Sequence, residues 1–342
     1  MVAAPAASGL VSVLIVTFNS ARHLPACLAT LEQQDYHPLE LIIIDNASTD
    51  GTRELLAPLA AQHAIILNAE NRGFAAAQNQ AIRQANGDWL LCLNPDVLLS
   101  QNFISELLHP AALDGQVGTV CGKLLRWNPD ETPERTKVID STGIYFFPNL
   151  RHLDRGADTL DSGQCEKMEY VFGATGAAAL YRRKMVEDVS VAGEFYDEDF
   201  FSYREDADLA WRAQLMGWKC LYVPAAVAWH ERRVTPERFH SLPLEINWHS
   251  IKNRFLMRAK NASAWLGMRF FFPIAARDAL IFGYALLRDW RLLSALWYPL
   301  RHWSSLRKKR RWIQSRRRVS DRELARWFSW RPASEPVTAK TD

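Results

Sequence analysis

Cysteine, glycine-rich fingerprints and long apolar runs are all scarce in this sequence. Five cysteines are scattered at Cys27, Cys92, Cys121, Cys165 and Cys220, never as CxxC. An odd, unclustered set excludes a disulfide framework and a cysteine zinc site, and favours a reducing compartment. No GxGxxG and no GxxxxGK[ST] occurs, so neither a dinucleotide fingerprint nor a P-loop is present. The segment Met1 to Gly9 lacks the basic region of a signal peptide. The apolar run Leu10 to Val16 is far too short to span a membrane. General disorder is excluded as well, because 48% of the 342 residues are apolar. That length suits one large domain with an appendage, or two domains.

Charge is present but unevenly placed. Residues 1–249 hold 20 Lys+Arg against 32 Asp+Glu, and residues 250–342 hold 21 against 6. An acidic body with a basic, Trp-rich end points to an anionic surface partner for that end, either membrane lipid or nucleic acid.

The first hundred residues alternate strand and helix four times. Expected strands are 11–16, 39–44, 64–67 and 90–93. Expected helices run to about Gln34, over 52–62 and over 75–86. This predicts a doubly wound α/β sheet with right-handed crossovers. Every strand stops at polar residues: Thr17 and Asn19, Asp45 and Asn46, Asn71, then Asn94 and Asp96. Turn chemistry explains any one of these. Four at one sheet edge are better explained as a ligand crevice, because ligands of such sheets bind outside the carboxyl ends of the strands. Pro95 stops the fourth strand, and a carboxylate such as Asp96 beside phosphates suits a hard cation.

Val117–Leu125 reads as a further strand, and 126–167 as hairpins and a long loop. The small residues 173–180 allow close approach of a ligand or helix, or plain tight packing. Six carboxylates fall within Asp197–Asp208, interleaved with aromatic residues. Some of them cap a helix running to about Met216. A carboxylate walled by aromatics can also act as a general base. Pro224 is expected to break the strand that begins at Trp218, leaving Val227–His230 as a short edge strand. His230 at its tip is either structural or part of the crevice.

Thr17-Phe18-Asn19, Asp45-Asn46-Ala47-Ser48-Thr49-Asp50-Gly51, Asn71-Arg72-Gly73-Phe74-Ala75, Asn94-Pro95-Asp96, and Asp197–Phe201 with Glu205–Leu209 together resemble glycosyltransferase family 2, in particular its rhamnosyltransferase-like branch. The resemblance covers about 10–235. It implies a GT-A fold, a Rossmann-like mixed sheet flanked by helices, and inverting transfer from a nucleoside-diphosphate sugar. It assigns donor binding to Thr17, Phe18, Asn19, Asp45, Asn46, Ser48, Asp50, Asn71, Gly73, Phe74, Asn79, Asn94 and Asp96. Within that set Phe18 stacks on the pyrimidine, and Asp45 and Asn46 read base and ribose. Asp96 takes the last position of the metal motif for Mg²⁺ or Mn²⁺, with His230 as a second ligand. Asn94-Pro95 departs from the acid that opens this motif in many members. Asp206 takes the place of the catalytic base, with Glu205 in reserve. Asp197, Glu198 and Asp208 are acceptor-side candidates, or cap and ion-pair residues with Arg204 and Arg212.

From Pro236 the pattern becomes helical and basic, as a region 236–330 followed by a disordered tail 331–342. Asn247–Lys260 carries basic residues on one face. Trp265–Trp303 is aromatic but too charged for a transmembrane span. Such helices lie in a membrane interface, and Arg307–Trp312 with Arg316–Arg318 add attraction to anionic lipid. The alternative is a soluble helical subdomain. No motif supports nucleic acid, which is not expected as a partner. The expected protein is a cytoplasmic glycosyltransferase, peripheral on the inner face of the membrane. It moves rhamnose from dTDP-rhamnose onto a glycan or a polyprenyl-diphosphate-linked acceptor. Galactofuranosyl, glucosyl or N-acetylglucosaminyl donors are alternatives, as is a non-catalytic nucleotide-sugar-binding scaffold.

Overall fold

A computed structural model describes residues 9–128, 132, 136–232 and 243–337. Its strands are β1 (Val11–Thr17), β2 (Leu39–Asp45), β3 (Ala64–Leu67), β4 (Trp89–Leu93), β5 (Val97–Leu99), β6 (Val117–Arg126), β7 (Ile139–Ser141), β8 (Ile144–Phe146), β9 (His152–Asp154), β10 (Glu169–Val171), β11 (Ala178–Arg182), β12 (Lys219–His230) and β13 (Glu335–Pro336). Its helices are α1 (Leu24–Glu32), α2 (Thr52–Leu56), α3 (Phe74–Gln84), α4 (Phe103–Leu113), α5 (Arg183–Val189), α6 (Glu205–Leu215), α7 (Leu244–Asn261), α8 (Ala264–Arg269), α9 (Phe271–Arg288), α10 (Ser294–Arg301), α11 (Trp303–Ser315) and α12 (Asp321–Ala325).

The main sheet runs β13-β10-β12-β6-β11-β4-β1-β2-β3, while β8 and β9 form a separate ribbon. The pairs β3–β2, β2–β1 and β1–β4 are parallel. β11 enters antiparallel between β4 and β6, which makes the sheet mixed. Both faces of the central strands are covered, so β1 is buried at every position and reads as a continuous apolar run. Successive side chains point to opposite faces. Val11, Val13 and Ile15 therefore join Leu91, Leu93 and Ile43 in one core layer, and Leu14 and Val16 join Leu90, Cys92 and the alanines of α3 in the other.

Two expectations change at β12. The strand is continuous through Pro224, which sits within a register shift between Val223 and Val227. A bulge tolerates the missing N–H. Gly122 of β6 makes room for it, since a Cβ there would lie 2.2 Å from the Ala226 carbonyl. Nor is Val227–His230 an edge: it pairs with β6 on one side and β5 on the other.

The basic end is part of the same core. Trp327 and Phe328 join the main apolar cluster, and Phe328 packs against Phe146, Phe172 and Trp211. Of the tail 331–342, Glu335–Pro336 pairs with β10, and 338–342 lie outside the described residues, as does the expected boundary at 235/236. Lys252, Arg254 and Lys260 of α7 are buried. The basic face of this helix therefore turns inward onto acidic groups, which corrects its reading as a lipid-facing stripe. Part of the later basic run is also engaged internally. Arg310 donates to the Ala259 and Ala262 carbonyls at the end of α7, and Arg318 pairs with Asp188. Among the described residues, no helix is long and apolar enough to cross a membrane.

Candidate active site

The carboxyl ends of β1, β2 and β4 open onto a crevice of about 330 Å³. Phe18, Asn46, Asn71, Gly73, Phe74, Asn94 and Asp96 line it. Phe18 is half exposed, offering a free ring face. Asn46 joins the tips of β2 and β3. Its Nδ2 donates to Asn71 Oδ1 (2.8 Å) and the Gly73 carbonyl (3.2 Å), and its Oδ1 accepts from Arg72 N (3.0 Å). Gly73 has φ +83°, and a Cβ there would lie 2.5 Å from the Phe201 ring. Only glycine combines that backbone with so close an approach, and it lets the 201–203 loop form the opposite wall.

The remaining residues assigned to the donor stand behind the crevice rather than among its lining, and hold its loops in place. Asp45 is fully buried. It accepts from Thr17 Oγ1 (3.0 Å), Ser48 N (3.1 Å) and Arg53 Nε (2.8 Å). Burial alone would raise its pKa, but the bonds from Ser48, Arg53 and Thr17 outweigh that and hold it below the usual carboxylate range. Its two oxygens carry three hydrogen bonds from the protein. Asn19, Ser48 and Asp50 fasten the β1 and β2 loops together through Asn19 N to Ser48 Oγ, Thr49 N to Asn19 Oδ1 and Ala21 N to Asp50 Oδ2. Asn79 is buried in α3, where it exchanges hydrogen bonds with the Tyr196 backbone and donates to Glu198 Oε1. It anchors the acidic loop.

At the β4 tip, Asp96 Oδ1 is buried with no hydrogen-bond partner. His230 Nε2 lies 3.6 Å away, and His230 Nδ1 is held by Asp140 Oδ2 at 2.8 Å. A carboxylate behind an imidazole fixes its tautomer and is the usual support of a metal-ligating histidine. The orphaned oxygen and the facing nitrogen thus fit a divalent cation as a two-residue set. No group of three or more donor side chains occurs among the described residues. Mg²⁺ is commonly held by one or two carboxylates, with waters and substrate phosphates as its other ligands.

Asn94 N donates to the Ala177 carbonyl (2.8 Å), and one residue earlier Gly176 N donates to Asp206 Oδ2 (3.1 Å). One short loop therefore sets Asp206 beside the β4 tip. This is the close approach expected of the small residues 173–180, made here by helix α6: a Cβ on Gly173 would lie 2.2 Å from that of Ala210. Burial, then the charge of Asp154, pushes the Asp206 carboxyl above its ordinary range, while Arg232 pulls the other way. Glu205 is buried with Oε2 unpartnered. Burial and the charges of Asp206 and Asp208 push it up to about 8.

Asp197 and Asp208 are not acceptor groups but buried ion-pair centres. Asp208 is fully buried, bound by Arg212 Nε (3.0 Å), Lys260 Nζ (3.0 Å) and Asn261 Nδ2 (2.8 Å). Asp197 accepts from Lys260 and Lys309. Burial opposes its charge, yet the two lysines hold it far below the usual range. Glu198, half-buried, takes the Asn79 amide. Sequence reasoning missed His23, Ser202 and Tyr203, which line the crevice. The aromatic spacing of the acidic segment pointed towards the last two. Nothing local marks His23, which reaches the site by packing and lies 3.1 Å from Glu231.

The model of the family described as Glycosyl transferase family 2 matches residues 12–190, and the chain belongs to that family. It is 25% identical over 251 residues to a poly-beta-1,6-N-acetyl-D-glucosamine synthase of Staphylococcus aureus (strain COL), covering 72% of this chain and 56% of that protein. It is 26% identical over 274 residues to an N-acetylglucosaminyl-diphospho-decaprenol L-rhamnosyltransferase of Mycobacterium tuberculosis (strain CDC 1551 / Oshkosh), covering 74% of this chain and 85% of that protein. The chain thus spans little more than half the length of the staphylococcal relatives. In fold it is similar to GalNAc-T7, solved with UDP, GalNAc and Mn²⁺, with a TM-score of 0.57 at 15% identity over 74% of this chain and 48% of that one. It is also similar to S. aureus TarS, with a TM-score of 0.50 at 16% identity over 89% and 55%. The fold is GT-A.

Proposed function

We propose that this chain is an inverting glycosyltransferase acting in the synthesis of a cell-surface glycan. Its donor is a nucleoside-diphosphate sugar, in the first instance dTDP-rhamnose, and its acceptor is a glycan or a polyprenyl-diphosphate-linked sugar. The observation that carries this reading is the pairing of two functions on one loop. Asp96, whose Oδ1 is buried and unpartnered, lines the crevice, and Asp206, with its raised pKa, is held at Gly176, next to the residue that binds Asn94. Phe18 stacks on the base, and the Asn46–Asn71 pair shapes the nucleoside end. Asp206 takes the proton from the acceptor hydroxyl as that oxygen attacks the anomeric carbon opposite the leaving diphosphate. A divalent cation on Asp96 and His230 would neutralise charge growing on that diphosphate. No covalent enzyme intermediate is needed.

The likeness to the mycobacterial N-acetylglucosaminyl-diphospho-decaprenol L-rhamnosyltransferase supports rhamnose and a lipid diphosphate. The staphylococcal relatives make an N-acetylglucosaminyl donor the second reading. The C-terminal helices bring the enzyme to an anionic membrane on the cytoplasmic side. Phe272, Leu287 and Trp290 are 82%, 89% and 74% exposed, and exposed Arg269, Arg288, Arg301, Arg307 and Lys308 lie along the same helices. An amphipathic face of this composition seats in the lipid interface.

The test is binding and slow hydrolysis of a panel of nucleotide sugars, each with Mg²⁺, Mn²⁺ or EDTA. Metal-dependent selection of dTDP-rhamnose is expected. Selection of UDP-N-acetylglucosamine would install the second reading. A folded protein that binds no donor would overturn the transferase assignment.

A further inference from the structure

Four elements bring arginines to one place behind Asp206. Arg204 immediately precedes the Glu205–Asp206 pair. It donates to the Ser250 carbonyl (2.9 Å) and Ser250 Oγ (3.1 Å), with Nη1 3.3 Å from His152 Nδ1. Arg254 of α7 donates to the Asn149 carbonyl in the β8–β9 turn (2.8 Å) and to Asp278 of α9 (3.0 Å). That clasp brings the turn that carries Arg151 up to the stretch of α9 that carries Arg277 and Asp278. The nearby carboxylates are engaged elsewhere: Asp278 by Arg254 and Arg258, and Asp154 by Arg232. Among the described residues, Arg151, Arg204 and Arg277 have no carboxylate within ion-pair distance, and none of the three lines the donor crevice. Burial, then Arg254, Arg277 and Arg151, brings Arg204 down to about 9, with Asp206 pulling the other way. Burial, then Arg151, lowers Arg277 against the pull of Asp278. Positive charge gathered in excess of its counter-charge raises the free energy of the cluster, and an anion relieves it.

We propose that Arg151, Arg204 and Arg277 form an acceptor-side subsite for a diphosphate group, namely that of a polyprenyl-type lipid diphosphate carrying the sugar to be extended. The proposal rests on the transferase reading above. Guanidinium forks bind phosphate oxygens in pairs, and three of them suit a diphosphate better than a single carboxylate. The place fits as well. Arg204 joins the subsite to the base that deprotonates the acceptor. One turn along α9 from Arg277, Leu280 is 65% exposed and offers apolar surface to a lipid tail.

The probe is farnesyl diphosphate, titrated calorimetrically into the full-length protein. Inorganic pyrophosphate, dTDP and phosphatidylglycerol vesicles form parallel arms. Farnesyl diphosphate is expected to bind the wild type with dTDP already saturating the donor crevice. Its affinity should fall about tenfold or more for each of Arg151→Ala and Arg277→Ala. Arg277→Lys, which keeps charge but loses the fork, should recover part of the loss. Pyrophosphate affinity should fall in parallel while vesicle binding holds. Unchanged farnesyl diphosphate affinity in a double variant with a normal melting curve would overturn the proposal. So would displacement of farnesyl diphosphate by dTDP, or loss of vesicle binding alone, which would make the arginines general lipid contacts. Calorimetry needs no turnover. A protein that moves no sugar would therefore refute the transferase reading while leaving this result to stand or fall separately.

Discussion

Burial drives the Glu205 carboxyl up to about 8, and Asp206 beside it adds to the effect. At neutral pH Glu205 therefore favours its protonated form. An unfolded chain ionises this glutamate near 4.5. The folded state binds the extra proton between those values, so its contribution to stability is complete below about 4.5 and is lost as pH rises through about 8. Glu205→Gln keeps the shape without ionising. It should raise Tm by a few degrees at pH 8.5 and much less at pH 5, and an equal gain at both would show that Glu205 does not titrate in this way. Asp206→Asn should lower kcat by about 10²–10⁴ with donor affinity retained in a binding titration; a loss of only a few-fold would remove Asp206 as the base. Because the Asp206 carboxyl is raised, the wild-type rate should fall with decreasing pH at a higher pH than an ordinary aspartate gives, as kcat/KM profiles will report.

The element that most shapes the site is α7, which lies outside the 12–190 family match. Phe201, Tyr203 and Arg204 all have left-handed φ, at +65°, +69° and +68°, a costly run for residues with side chains. Asn253, fully buried, holds it through Nδ2 bonds to the carbonyls of Phe200, Ser202 and Tyr203 (3.0, 2.8 and 2.7 Å). Lys252 adds a bond to the Asp199 carbonyl (2.5 Å), and His249 stacks on Phe201. The strained loop forms one wall of the donor crevice and leads directly into Glu205. Asn253→Ala should cost about 1–3 kcal/mol in chemical denaturation and lower kcat together with it. A stability loss with kcat unchanged would separate α7 from positioning of the loop.

At the scale of the whole molecule, the acidic body and basic end are one folded unit held by buried charge. Lys309 of α11 reaches Asp197 (2.5 Å), Asp199 (3.0 Å) and Glu194 (3.2 Å), while Lys260 bridges Asp197 and Asp208. What remains outside is the apolar face of α9 and α10 with its arginines. A Phe272→Ser/Leu287→Ser/Trp297→Ser variant should lose most co-sedimentation with phosphatidylglycerol vesicles. In the wild type, high salt should weaken binding without abolishing it, since only the electrostatic part is screened. Unchanged sedimentation of the variant would move the lipid contact elsewhere.

The sequence by itself determined the alternation of strand and helix over the first hundred residues, because strands buried on both faces must be apolar throughout. It also determined that polar tips converge at one sheet edge, since parallel strands all end on the same side. It marked Asp96, Asp206 and His230 by motif order. The division of labour among the other polar residues was decided only by tertiary structure. Whether a carboxylate meets a ligand or a lysine depends on what packs over it. Asp197 and Asp208 are taken by Lys260 and Lys309, from helices some fifty to a hundred residues further on. Local composition cannot carry such long-range partners. Nor can it tell a basic stripe that faces lipid from one that turns inward to neutralise an acidic loop.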